Sequence, residues 1–222
     1  MNEVTPLIAL ERACIESGRT TTEPLDASGG ERTVALVGYS SPFFRLLRND
    51  GRLVSGSVRI AGKDAKLALR LGEVALAPFE APALRWTARR YLVENARLAL
   101  FDRRSAERRA DGELERSELA GVANLRLCDV DTGVRRRMAL ASAAVTRATT
   151  IVAEAPLGEL AATAEAVVAN ALGRLAADRH LIVSFPALPL GGPAREFFER
   201  TDFTAVIERG VVTYAGPPVP NS

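Results

Sequence analysis

Up to residue 77 the apolar and polar positions follow the short period of β-structure. Residues 6–15 (Pro-Leu-Ile-Ala-Leu-Glu-Arg-Ala-Cys-Ile) suit a strand, and Ala27-Ser28-Gly29-Gly30 predicts a turn built on a glycine pair. Thr33 to Val37 is a continuous apolar run bounded by glycine, as expected of a strand buried on both faces. Leu53 to Ile60 alternates, with Val54, Gly56, Val58 and Ile60 on one side, and ends in a turn at Ala61-Gly62-Lys63-Asp64. Glu73 to Ala77 is a further short strand.

From residue 86 the period lengthens. Trp86 to Leu98 carries apolar residues at helical spacing, and Arg103 to Arg116 is a dense run of both charge signs. Together they predict a helical lobe, about 84–137, with a solvated face. Arg135 to Arg147 predicts a helix whose apolar face includes Met138, Ala141 and Val145. Thr149 to Ala153 is a buried strand. Leu160, Ala164, Val167, Val168, Ala171, Leu172 and Leu175 form a helical stripe, and Leu181 to Phe185 is the next strand. Residues 205–216 read as a hairpin turning at Arg209-Gly210, and 217–222 as a loose tail. Strands alternating with helices in the second half predict an α/β sheet. No internal repeat is present.

Composition narrows the functional classes. A chain of 222 residues can bury one sizeable core, and its 47% apolar and 25% charged content is ordinary for a globular protein. The net charge of +2 gives no ground for nucleic-acid binding, and in the run 103–116 acids are interleaved with the arginines. Cys14 and Cys128 form neither a disulfide framework nor a metal-like pair, and His180, the single histidine, reads as a surface residue. No metal site is expected. Nothing is long and apolar enough to span a membrane, and the N-terminus has no basic region leading into an apolar stretch. A cytoplasmic protein is expected, with any membrane contact made through partners.

Four stretches, in this order, carry a resemblance. Val34-Ala35-Leu36-Val37-Gly38 leads into Tyr39-Ser40-Ser41-Pro42-Phe43-Phe44-Arg45-Leu46-Leu47. Val54-Ser55-Gly56-Ser57-Val58-Arg59-Ile60-Ala61-Gly62 has the form SGxVxxxG. Arg135-Arg136-Arg137-Met138-Ala139-Leu140-Ala141 opens a helix, and Thr150-Ile151-Val152-Ala153-Glu154-Ala155-Pro156-Leu157-Gly158-Glu159-Leu160 ends a strand in an acid. Their order and spacing resemble the nucleotide-binding domain of ATP-binding cassette (ABC) proteins over nearly the whole chain. The resemblance implies one domain, 1–216. Its fold would be α/β: a P-loop NTPase-like ABC ATPase core, an N-terminal antiparallel β subdomain and an inserted helical lobe.

The same resemblance assigns functional positions, and this chain departs from most of them. The family holds ATP in a GxxxxGK[ST] loop, where backbone amides and a lysine grip phosphate and a hydroxyl binds Mg²⁺. Here the first glycine is Gly38. Counted without gaps, Phe43, Phe44 and Arg45 take the glycine, lysine and Ser/Thr positions; if Phe43 to Leu47 instead match the following helix, the loop is several residues short. Only two lysines occur, Lys63 and Lys66, and neither lies there. Glu154 keeps the Walker B carboxylate. Ala155 replaces the glutamate that polarises water, Phe79 the Q-loop glutamine, Ala161 the D-loop aspartate, and Phe185 or Pro186 the switch histidine. The LSGGQ signature maps onto Val130-Asp131-Thr132-Gly133-Val134.

Gly38, Arg45, Glu154 and Gly133 are thus the candidates for residual nucleotide contact, with no catalytic residue in place. The implied protein is a pseudo-ATPase with no cofactor. It would be a structural or regulatory subunit of a transporter-type complex, peripheral at the inner face of the cell membrane. A membrane permease subunit and an active ABC ATPase would be its partners, in a homo- or heterodimer, with Trp86 or Tyr91 of the lobe as docking anchors. Two alternatives stay open: a working ABC transporter ATPase that binds ATP and Mg²⁺ through a divergent site using Arg45 and Glu154, and a stand-alone scaffold or regulator.

Overall fold

The computed structural model describes residues 5–38 and 40–219. In chain order the elements are β1 (Ile8–Ser17), β2 (Thr20–Thr21), β3 (Leu25–Gly29), β4 (Thr33–Gly38), α1 (Ser41–Leu47), β5 (Arg52–Ile60), β6 (Lys63–Asp64), α2 (Ala65–Arg70) and β7 (Val74–Ala77). They continue as α3 (Ala88–Leu98), α4 (Arg103–Arg116), α5 (Thr132–Ala144), β8 (Thr150–Ala153), α6 (Ala162–Asp178), β9 (His180–Phe185), α7 (Gly192–Glu199), β10 (Phe203–Glu208) and β11 (Val211–Gly216).

Two sheets result. The first is antiparallel, in the order β2-β1-β5-β6 with β3 also on β1. It has a bulge in β1 between Leu10 and Ala13. Gly56 lies opposite, at φ +77°, where a Cβ would stand 2.2 Å from the Arg12 carbonyl oxygen, so the bulge requires glycine there. The second sheet has the order β11-β10-β4-β9-β8-β7 and is parallel except for the β10–β11 hairpin. The turns at Ala61-Gly62 and Arg209-Gly210 each hold two consecutive positive φ angles, the type I′ geometry that matches strand twist.

Side-chain alternation in the parallel strands divides the interior into layers. Val34, Leu36, Val152 and Ile182 point to one face, toward the antiparallel sheet and α1. Ala35, Val37, Ile151, Ala153, Leu181 and Val183 point to the other, against α5, α6 and α7. Burial on both faces makes β4 and β8 read as unbroken apolar runs. The lobe has a third cluster, including Leu92, Leu114, Leu127 and Met138. α5 serves both bodies: Leu140, Ala143 and Ala144 join the sheet's cluster, while Val134, Met138 and Ala141 join the lobe's.

Several boundaries move from their sequence positions for local reasons. α5 starts before Arg135 because Asp131 caps it, accepting from the Val134 amide at 2.8 Å. α3 starts at Ala88 because the Thr87 hydroxyl accepts from the Arg90 amide. His180 opens β9 and is partly exposed there. Beyond β11 the Pro217 carbonyl accepts from Tyr214 Oη at 2.6 Å, and the Val219 carbonyl from Arg195 Nη2 at 2.8 Å. Residues 220–222 of the expected loose tail lie outside the described residues.

Candidate functional site

The C-terminal ends of β4, β7, β8 and β9 meet along one edge of the parallel sheet, where open α/β sheets place ligand sites. β4 leaves its last residue, Gly38, at φ +87°. A Cβ there would stand 2.4 Å from the Ile207 carbonyl oxygen, so glycine is required by the close approach of β10. α1 then begins at Ser41. Tyr39 lies outside the described residues, and Ser40 donates its amide to the Gly38 carbonyl at 2.8 Å. Pro42 sits in the first turn of α1, where its missing amide costs no helical bond, and Ser40 makes no side-chain cap.

Phe43 and Phe44 point inward, at 1% and 3% exposure, and meet edge to face with centroids 5.4 Å apart. They pack in the cluster between the two sheets, with Leu10, Ile15 and Leu36. Of the two alignments above, the one that sets Phe43 to Leu47 in the helix after the loop agrees with α1. Arg45 is exposed, and its guanidinium lies beside the β1–β2 turn, 3.7 Å from where a Cβ on Gly18 would stand.

Glu154 follows β8, its amide bonded to the Ala77 carbonyl. Its carboxylate forms an ion pair and hydrogen bond with Arg48, the C-cap residue of α1. Arg48 was not among the candidates; only the tertiary approach of α1 to β8 brings it there.

Gly133 lies in the first turn of α5. A Cβ on it would meet the Ala164 Cβ at 3.1 Å and Asp131 Oδ1 at 3.2 Å, so its small size lets α5 and α6 approach. Asp131 holds its carboxylate at the positive end of the α5 dipole.

Phe79 and Ala155 meet at Arg136, which sequence reasoning also missed. This side chain is only 1% exposed although charged. Its guanidinium carbon lies 3.2 Å from the Phe79 ring centroid, and Nη1 donates to the Ala155 carbonyl at 2.7 Å. Burial pushes its pKa below the usual guanidinium value, against the opposing pull of Glu80 and Glu159; it remains a cation at neutral pH. Ala155 has φ +41°, and its amide donates to Ser184 Oγ at 2.8 Å. Phe185 is buried at 3% exposure, edge to face with Phe198 at 5.7 Å. Pro186 is exposed and faces Gly158. Of the two residues at the switch-histidine position, Pro186 is therefore the one at the surface. In the lobe, Tyr91 is buried, whereas Trp86 is 38% exposed with Arg90 stacked on it at 4.7 Å.

Among the described residues no group of three or more His, Cys, Asp or Glu could hold a metal ion. No helix there is long and apolar enough to cross a membrane.

No protein-family model matches the chain, and no curated protein does. Solved structures match over nearly its full length. An ATP-binding cassette of an ABC transporter, in its ADP conformation, superposes with a TM-score of 0.79 at 13% identity, covering 96% of this chain and 91% of the other. The cbiO1 protein of Clostridium perfringens, part of the ABC transporter complex cbiONQ, gives 0.77 at 14% identity over 96% and 89%. A bacterial Atm1-family ABC exporter with ATP bound gives 0.76 at 17% identity over 98% of this chain and 41% of that one. At these identities the likeness establishes the fold: an α/β, P-loop NTPase-like ATP-binding-cassette core with an antiparallel β subdomain and an inserted helical lobe.

Proposed function

We propose that this chain is a non-catalytic ABC ATPase-like subunit of a transporter-type membrane complex, structural or regulatory, with ATP binding and hydrolysis lost. One observation carries the reading: α1 starts at Ser41, directly after Gly38-Tyr39-Ser40, and turns Phe43 and Phe44 into the core. A GxxxxGK[ST] loop has no room in the two residues between Gly38 and Ser41, and among the described residues no ring of amides is there to cradle phosphates.

The other positions support this. Glu154, the acid that would serve Mg²⁺, is held by Arg48. At the position of the water-polarising glutamate stands Ala155, bonded through its backbone to Arg136 and Ser184. Asp131 stands at the signature position, which faces a partner's γ-phosphate in the family, and a carboxylate there would repel it. The working-ATPase alternative, with ATP and Mg²⁺ at Arg45 and Glu154, needs Glu154 free and Arg45 turned toward it. Neither holds.

The fold and its solved likenesses in transporters support a permease subunit as partner, an active ABC ATPase or a second copy in the dimer, and a cytoplasmic position at the inner face of the membrane. Trp86, half-exposed on the lobe, is the anchor we assign to the permease contact. A stand-alone scaffold would share the same site and lack that partner.

Phosphate release from Mg-ATP by the purified chain tests the reading. Background turnover is expected, because the missing general base alone is worth about 10²–10⁴ in rate. Saturable turnover that is abolished by Glu154→Ala would establish the divergent ATPase instead.

A further inference from the structure

The lobe buries a hydrophobic cluster of its own, so the links crossing to the sheet decide how it is held. α5 crosses the boundary, and in its first turns Arg135 and Arg136 reach both loops that leave the C-terminal ends of β7 and β8. Arg135 Nη2 lies 3.2 Å from Glu80 Oε2, and its carbonyl accepts from the Ala81 amide at 3.0 Å. Arg136 stacks on Phe79 in the same loop and donates to the Ala155 carbonyl in the other.

We infer that Arg136, stacked on Phe79 and bonded to Ala155, is a built-in latch that fixes the lobe against the sheet without any nucleotide. The burial of Arg136 supports this: one planar cation joins three separate segments, and its removal would take from the Ala155 carbonyl its shorter, charge-assisted bond and leave only the one from the Gly158 amide at 3.1 Å. The backbone of Ala155 supports it too. A φ of +41° is unfavourable for alanine and persists only where the surroundings fix it. Here Arg136 and the Gly158 amide hold the carbonyl, and Ser184 Oγ holds the amide. The latch also has a cost, since Arg136 Nε has no hydrogen-bond partner. An apolar side chain would fill the position without that cost, so the arginine is there for the link it makes. The inference goes beyond the proposed function, resting on lobe–sheet geometry alone.

Two spin labels test it in the full chain. One goes on Cys128, exposed in the lobe, and the other on a cysteine introduced by Glu208→Cys at the exposed end of β10, in a Cys14→Ser background. The unaltered latch should give one narrow distance distribution, the same with and without millimolar Mg-ATP. Arg136→Met should broaden it and raise amide exchange at Ala155 about tenfold. Phe79→Leu keeps apolar volume but removes the stacked ring. It should broaden the distribution as well, and it carries the test if Arg136→Met does not fold. A folded Arg136→Met or Phe79→Leu protein with the original distribution and exchange would overturn the latch, as would a distance that moves with Mg-ATP in the otherwise unaltered chain. Saturable ATP binding at an unmoved distance would refute the proposed loss of nucleotide binding and leave the latch standing.

Discussion

Phe44→Lys, which sets a lysine where the ungapped alignment would have it, is expected to destabilise the chain by more than about 4 kcal/mol and to confer no nucleotide binding. Phe44 is 3% exposed and lies between the two sheets among Leu10, Ile15 and Leu36. An ammonium there would lose its water and find no carboxylate in that cluster, while the edge-to-face contact with Phe43 would vanish. Against a typical total stability of about 5–15 kcal/mol, a loss of this size leaves a protein that is marginal at best. Urea unfolding measures it. A variant as stable as the parent would mean that position 44 faces solvent, and the account of α1 would be wrong.

The second large effect is expected at the switch-histidine position. Phe185→Ala should cost about 3–5 kcal/mol, because it opens a cavity beneath β9 and removes the ring that Phe198 meets edge to face. Its neighbour Pro186 is exposed, so Pro186→Ala should stay within about 0.5 kcal/mol. Measured side by side, the pair separates a residue that holds the sheet together from one that lines the surface. Similar losses at both positions would contradict that division.

The strands of the parallel sheet could be read from the sequence because burial on both faces writes itself as an unbroken apolar run, as in β4 and β8. The C-terminal hairpin was legible because Arg209-Gly210 supplies the two positive φ angles of its turn. Two short helices were not. α2 follows Lys63-Asp64, which read as a turn; in the fold these residues pair with β5, and Asp64 then caps the helix by accepting from the Leu67 amide. α7 opens on Gly192-Pro193, a pair that looks like a loop until proline takes the first helical turn.

At the candidate site the residue types were legible and their partners were not. Glu154 is visible as a strand-end acid, but Arg48 reaches it only through the tertiary placement of α1. Arg136 left one faint trace. It stands four residues before Leu140 and seven before Ala143, on the stripe of α5 that packs against the sheet, so a charge interrupts an apolar face. By resemblance Gly38 is a phosphate-loop glycine and Gly133 a signature glycine. In the fold each answers to a neighbouring backbone or side chain: Ala164 for Gly133, Ile207 for Gly38.

The most direct test of the central claim is the melting temperature of the purified chain, followed as Mg-ATP is titrated to millimolar concentration. On the proposal that the phosphate cradle after Gly38 is lost, no shift is predicted. A saturable shift, which at about 100 times the dissociation constant would correspond to about 2.7 kcal/mol, and which disappears in Glu154→Ala, would contradict the account and make this chain a nucleotide-binding cassette with a divergent site.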